Sequence, residues 1–85
     1  VLITGSTRGI GRALAEACTR AGAHVVVHGR REHEARNLAC LLASLRPGET
    51  CAVVGIGCDL AQPGAGRALA ARAAAELGGL DLVIN

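Results

Sequence analysis

The sequence predicts an α/β protein built on a doubly wound parallel sheet. Two observations carry that prediction. Four short apolar runs alternate with three segments whose apolar residues recur at helical spacing. A glycine-rich stretch, Gly5 to Gly11, sits between the first apolar run and the first helical segment. Strands and helices in the order β-α-β-α-β-α-β imply right-handed crossovers, which make the strands parallel and lay the helices on the sheet faces.

Residues 1 to 5 read as a short strand. From Ile10 the pattern changes to period 3.6, with Ile10, Ala13, Leu14, Ala17, Cys18 and Ala21 on one stripe and Gly22 as the stop. His24 to His28 encloses an uninterrupted Val25-Val26-Val27, as suits a strand covered on both faces. Glu32 to Leu45 reads as the second helix, with Leu38, Leu41, Leu42 and Leu45 facing the core and Pro47-Gly48 ending it. Ala52 to Ile56 is the third strand. A loop from Asp59 to Pro63 leads into a third helix over Ala65 to Leu77. Gly78-Gly79 closes that helix, and Leu80 to Ile84 forms the fourth strand.

Composition bounds the function. Eighty-five residues make one small domain at most, and the chain has no Phe, Trp, Tyr or Met. A net charge of +2 without aromatics argues against a nucleic-acid partner, since neither a basic surface nor a base-stacking platform is available. No apolar run approaches the roughly 18 residues of a membrane span, and no leader with a charged start precedes the first strand. A cytoplasmic location is therefore expected. The four cysteines, Cys18, Cys40, Cys51 and Cys58, form no C-x-x-C pair, and the histidines lack metal-ligand spacing. Small buried thiols in a reducing compartment are expected, with no metal site.

The glycines explain what the first loop is for. Where a strand turns into a helix, the first helical N–H groups lack partners and the helix dipole is positive, so an anion such as a diphosphate is the natural occupant. Gly5 permits the tight turn, Gly9 admits close approach of a ligand, and Gly11 lets the helix pack close to the sheet. Ser6 and Thr7 offer hydroxyls to phosphate oxygens. The spacing is G-x-x-x-G-x-G, distinct from the phosphate-binding G-x-x-x-x-G-K-[ST] loop.

The end of the second strand adds a charge argument. In a dinucleotide site this position lies beside the adenosine ribose, where an acid holds the 2′-hydroxyl. Here the residues are His28-Gly29-Arg30-Arg31. Guanidinium groups match a 2′-phosphate bidentately. Arg8, in the glycine loop, approaches the same phosphate from the other side. Asp59, at the end of the third strand, either accepts a hydrogen bond from an adenine amino group or caps the turn before the third helix.

Thr4-Gly5-x-x-x-Gly9-Ile10-Gly11, then Asp59-Leu60, then Leu80-Asp81-Leu82-Val83-Ile84-Asn85 resembles the short-chain dehydrogenase/reductase family over essentially all 85 residues. The resemblance implies a Rossmann-like sheet, here incomplete. It also implies an NADP cofactor bound by Gly5, Ser6, Thr7, Arg8, Gly9, Ile10, Gly11, Arg30, Arg31, Asp59, Leu60 and Asn85. Arginines like Arg8 and Arg30 mark the family's NADP-preferring branch, Asp59-Leu60 matches its adenine-contacting pair, and Asn85 matches the first residue of its N-N-A-G segment. The family's catalytic Ser and Tyr-x-x-x-Lys lie beyond that point, and this chain has neither tyrosine nor lysine. Residues 1–85 are thus expected to be a partial NADP-binding domain, truncated before the catalytic half and inactive alone. The complete protein would act on a small carbonyl or alcohol substrate. A non-catalytic NADP-sensing module and a truncated product without activity stand as alternatives.

Overall fold

The computed structural model describes residues 1–46 and 52–85. Its elements are β1 (Leu2–Ile3), α1 (Gly9–Arg20), β2 (Val25–Gly29), α2 (Glu32–Ala43), β3 (Val53–Gly57), α3 (Ala65–Leu77) and β4 (Val83–Ile84). The four strands form one parallel sheet in the order β3-β2-β1-β4, as the α/β reading expects. Because all strands run the same way, all four carboxyl ends open on one edge. The order reverses beside β1, with β2 on one side and β4 on the other.

Side-chain alternation divides the core into two layers. Ile3, Val25 and Val27 point to one face and pack with Ala15 of α1 and Leu38, Ala39 and Leu42 of α2. Leu2, Val26 and Ile56 point to the other face and meet Leu69 and Ala73 of α3. Val25, Val26 and Val27 are fully buried, which is why β2 reads as a continuous apolar run. The sheet is therefore wound on both faces. Arg72 of α3 also reaches Glu32 of α2 at 3.1 Å, joining helices from opposite faces. The Arg36 guanidinium first, then Arg72, holds the Glu32 carboxyl below its usual range.

The helix ends follow local chemistry. After α1, Gly22 takes φ +91, and the N–H groups of Gly22 and Ala23 donate to the carbonyls of Thr19 and Cys18. After α3, Gly78 takes φ +74, and the N–H of Gly79 donates to Ala74 O. Both are left-handed glycine caps that satisfy otherwise orphaned carbonyls. The expected ends of α3 match those observed. Pro47-Gly48 and Cys51 lie outside the described residues.

Several expectations are corrected. The buried face of α1 is Ala15 and Thr19, whereas Ile10 is 82% exposed and Ala13, Leu14 and Ala17 also face outward. The reason is steric: a Cβ on Gly11 would lie 2.6 Å from the carbonyl oxygen of Gly5, so the glycine side of the helix must face the loop. Gly11 thus packs against loop backbone rather than against a strand. On α2 the core positions are Ala35, Leu38, Ala39 and Leu42, while Leu41 is exposed and the helix stops at Ala43. β1 spans two residues rather than five, since Gly5 at φ +59 leaves the extended region. β4 likewise shortens to Val83–Ile84, and β2 and β3 each shift one residue toward the carboxyl end. Cys40 is exposed and Cys18 and Cys58 are only half-buried, so these thiols are not core residues.

α2 lies directly on the backbone of β3. A Cβ on Gly55 would collide with the backbone of Ala35. In contrast, a Cβ on Gly66 in α3 meets open space. Gly55→Ala should therefore lower the unfolding free energy by about 1–3 kcal/mol through overpacking. Gly66→Ala should raise it by about 0.5–1 kcal/mol through helix propensity and reduced freedom of the unfolded chain. Denaturant unfolding of the two variants checks the opposite signs.

Candidate functional site

The carboxyl ends of β1, β2 and β3 enclose a cleft of about 680 Å³ lined by Gly5, Thr7, Arg8, His28, Gly29, Arg30, Arg31, Glu34 and Asp59. A parallel sheet makes this edge the place for a ligand, because loops there diverge and helix amino termini point inward. Six of the twelve expected site residues meet in this cleft: Gly5, Thr7, Arg8, Arg30, Arg31 and Asp59. Ser6, Gly9, Ile10, Gly11, Leu60 and Asn85 do not line it.

The floor of the site is the turn after β1. Gly5 and Gly9 have φ of +59 and +60, conformations that favour glycine. Nothing lies within 4 Å of a Cβ built on either, so Gly9 fronts open space at the start of α1. α1 begins after Arg8 with no side-chain capping bond and no acid in its first turn. The positive end of this helix is therefore left to whatever anion approaches.

Ser6 behaves differently from expectation. Its side chain is fully buried, and its Oγ accepts from the His28 N–H at 2.8 Å and donates to the His28 carbonyl at 3.3 Å. The Ser6 N–H donates to the same carbonyl at 2.8 Å. The hydroxyl is a clamp between the loop and β2. Thr7 fills the space above Gly29, where a Cβ would lie 2.6 Å from the Thr7 methyl group.

The charges form the wall. Arg30 is 82% exposed along its side chain, and its Nη2 lies 3.7 Å from Asp59 Oδ2. Asp59 Oδ1 accepts the Ala61 N–H at 2.9 Å, so the carboxylate both shapes its turn and faces Arg30. It does not cap α3, whose cap position is Gly64. Arg31 stands at the cap position of α2, largely exposed, 4.0 Å from Glu34. Three arginines and two carboxylates thus line the cleft, leaving an excess of positive charge. Leu60 is exposed beside this wall. Asn85, at the end of β4, accepts the Thr4 hydroxyl at 3.2 Å and so ties β4 to the start of the glycine turn.

Two residues of this site escape the sequence patterns. His28 reads there as the flank of a buried strand, yet its ring contacts both Gly5 and Cys58. Glu34 falls within the segment read as the second helix with no role of its own, yet it lines the cleft. The signal for His28 is its place: a polar residue at the carboxyl end of an otherwise apolar strand, directly before Gly29-Arg30. Beside it, burial first and the Asp59 carboxylate second push the Cys58 thiol up, with Arg72 opposing. Among the described residues no group of His, Cys, Asp and Glu side chains is placed to hold a metal ion. No helix among them is long and apolar enough to cross a membrane.

Comparison with known proteins agrees with this geometry. The short chain dehydrogenase family model matches residues 1–85. L-rhamnose 1-dehydrogenase (NAD(P)(+)) of Azotobacter vinelandii is 36% identical over 85 residues, a match that covers 100% of this chain and 33% of that protein. The human mitochondrial dehydrogenase/reductase SDR family member 2 is 37% identical over 83 residues, covering 98% of this chain and 28% of that protein. The chain therefore spans about a third of the length of the curated relatives it matches. A short chain dehydrogenase from Burkholderia cenocepacia, solved in complex with NADP, superposes with a TM-score of 0.84 at 32% identity, over 99% of this chain and 33% of that one. A metagenomic short-chain oxidoreductase, also in complex with NADP, gives 0.81 at 28% identity, over 98% and 36%. The parallel order of the sheet and the turn after β1 are thus those of a Rossmann fold, and the chain belongs to the short-chain dehydrogenase family.

Proposed function

We propose that this chain is the NADP(H)-binding part of an oxidoreductase that interconverts carbonyl and alcohol groups. The observation that carries the reading is the cleft itself. Arg8, Arg30 and Arg31 line it together with the glycine turn, and β2 ends in Gly29-Arg30 where an NAD-selective site would offer an acid. The residues fit the group. The uncapped start of α1, with open space around Gly9, suits the diphosphate. The guanidiniums of Arg8 and Arg30 suit a 2′-phosphate. Asp59 Oδ2, loosely paired with Arg30, is available to an adenine amino group once Arg30 turns to the phosphate. Two structural relatives were solved in complex with NADP, which supports a nicotinamide cofactor for this chain.

When bound, the cofactor supplies hydride to or from the substrate carbon. This chain's part is to hold the adenosine end by charge and the diphosphate by backbone N–H groups. Reducing a carbonyl also requires the developing oxyanion to be protonated or stabilised. The chain contains no tyrosine and no lysine for that role. Ser6 is buried against His28, and Ser44 caps α2 on another side of the molecule. The reading assigns this chain the cofactor and no proton donor, in a match that spans about a third of the length of its relatives.

The cofactor reading is tested by titrating NADP(H) and NAD(H) against Arg30→Ala. Loss of one charge-assisted contact should weaken NADP(H) binding about tenfold, or about 1.4 kcal/mol, and leave NAD(H) almost unchanged. Equal losses for both would remove Arg30 from 2′-phosphate recognition. A second outcome concerns chemistry. The 85-residue chain, incubated with NADPH and a panel of ketones and aldehydes, should consume no NADPH above the rate of a Gly9→Val control. Turnover above that control would contradict the division of labour.

A further inference from the structure

The geometry points to His28 as a positioning residue that sets the cofactor turn, an inference that rests on reading the cleft as a nucleotide-cofactor site. His28 is 3% exposed at the end of β2. Its Nδ1 lies 3.0 Å from the backbone nitrogen of Gly5, and its Nε2 lies 2.9 Å from the carbonyl oxygen of Cys58. A backbone N–H can only donate and a carbonyl oxygen can only accept. Nδ1 must therefore be the acceptor and Nε2 must carry the hydrogen. The opposite tautomer would set donor against donor at Gly5 and acceptor against acceptor at Cys58. A doubly protonated ring would lose the Gly5 bond. Only the neutral ring with hydrogen on Nε2 satisfies both neighbours.

That single ring ties together the three strand ends that build the cleft: Gly5 lies just after β1, His28 is the penultimate residue of β2, and Cys58 follows β3. The consequences run outward on both sides. On one side, the ring holds the Gly5 N–H, and the Gly5 carbonyl lies under Gly11, where no Cβ fits. The orientation of Gly5 thus fixes how α1 begins, and with it the N–H groups offered to an anion. On the other side, the ring holds the Cys58 carbonyl immediately before Asp59. The Cys58 N–H is meanwhile bound by Gly29 O at 3.0 Å. Asp59 is therefore presented to Arg30 from a backbone fixed at both its polar groups. The Ser6 clamp anchors the backbone of His28, so the ring acts from a fixed base. A turn held in its binding shape before the ligand arrives avoids the cost of ordering it on binding.

The test separates this role from mere packing. In His28→Asn the amide oxygen can take the place of Nδ1 and accept from Gly5 N–H, while the reach to Cys58 is lost. In His28→Leu both links are lost and an apolar side chain fills the space. NADPH fluorescence titration of the full chain should show about a tenfold weaker dissociation constant for His28→Leu. His28→Asn should recover most of that loss, irrespective of the order of the two melting temperatures. Nitrogen-15 NMR of the imidazole in the wild-type chain should show Nδ1 bare and Nε2 protonated. Unchanged affinity in His28→Leu, equal weakening in both variants, or a proton on Nδ1 at neutral pH would each overturn the inference. If His28→Leu does not fold, the tautomer and the His28→Asn affinity still decide. Failure of the wild-type chain to bind either NADPH or NADH would instead overturn the cofactor reading on which the inference stands.

Discussion

The start of α1 sits against the turn that follows β1, and the rest of the site depends on that contact. Gly11 has to lie against the Gly5 carbonyl, so the helix can take only one rotation about its axis. That rotation buries Ala15 and Thr19 and leaves Ile10 outside. The first N–H groups, which lie along the helix axis, face the carboxyl edge of the sheet because α1 starts directly after the turn that follows β1. The same setting of the helix leaves the large side chains of Ile10 and Leu14 exposed. What results is a positive helix end without a side-chain cap, next to Arg8.

Much of the fold is legible in the sequence because it rests on local chemistry. The valine run of β2, the glycine stops after α1 and α3, and the alanine-rich α3 all act within a few residues of themselves. The errors arise where a distant partner decides. Helical periodicity ranks Ile10 and Leu14 as core because it weighs size. It has no knowledge of the Gly5 carbonyl that turns the small side of the helix inward. The strand at residues 1–5 is cut short by the φ of Gly5, a tertiary requirement of the same turn. Leu41 and Cys40 lie outside because Gly55 draws α2 onto β3 along its Ala35 and Ala39 side.

The candidate site divides in the same way. Arg8, Arg30 and Asp59 are legible because their positions, in the glycine loop before α1 and just after β2 and β3, carry the chemical argument directly. Ser6 is misread because a hydroxyl in a phosphate loop looks available until its bonds to His28 are known. His28 is overlooked because its partners stand 23 and 30 residues away in the chain. Two polar residues therefore exchange roles relative to the sequence pattern. The serine is internal scaffolding, and the histidine joins the scaffolding to the cleft.

The charge balance of the cleft fits an anion of modest size. Asp59 and Glu34 each engage an arginine across 3.7 and 4.0 Å, distances too long for strong bonds, so the guanidiniums can be recruited by a ligand. The account as a whole claims that one ligand touches the start of α1, the end of β2 and the turn after β3 together. The most direct measurement is a backbone amide NMR titration of the chain with 2′,5′-ADP. The account predicts shifts confined to the residues from Gly5 to Arg12, from His28 to Arg31, and around Asp59, saturating along one binding curve. Shifts centred elsewhere, or at Arg30 alone with the glycine turn unmoved, would contradict it.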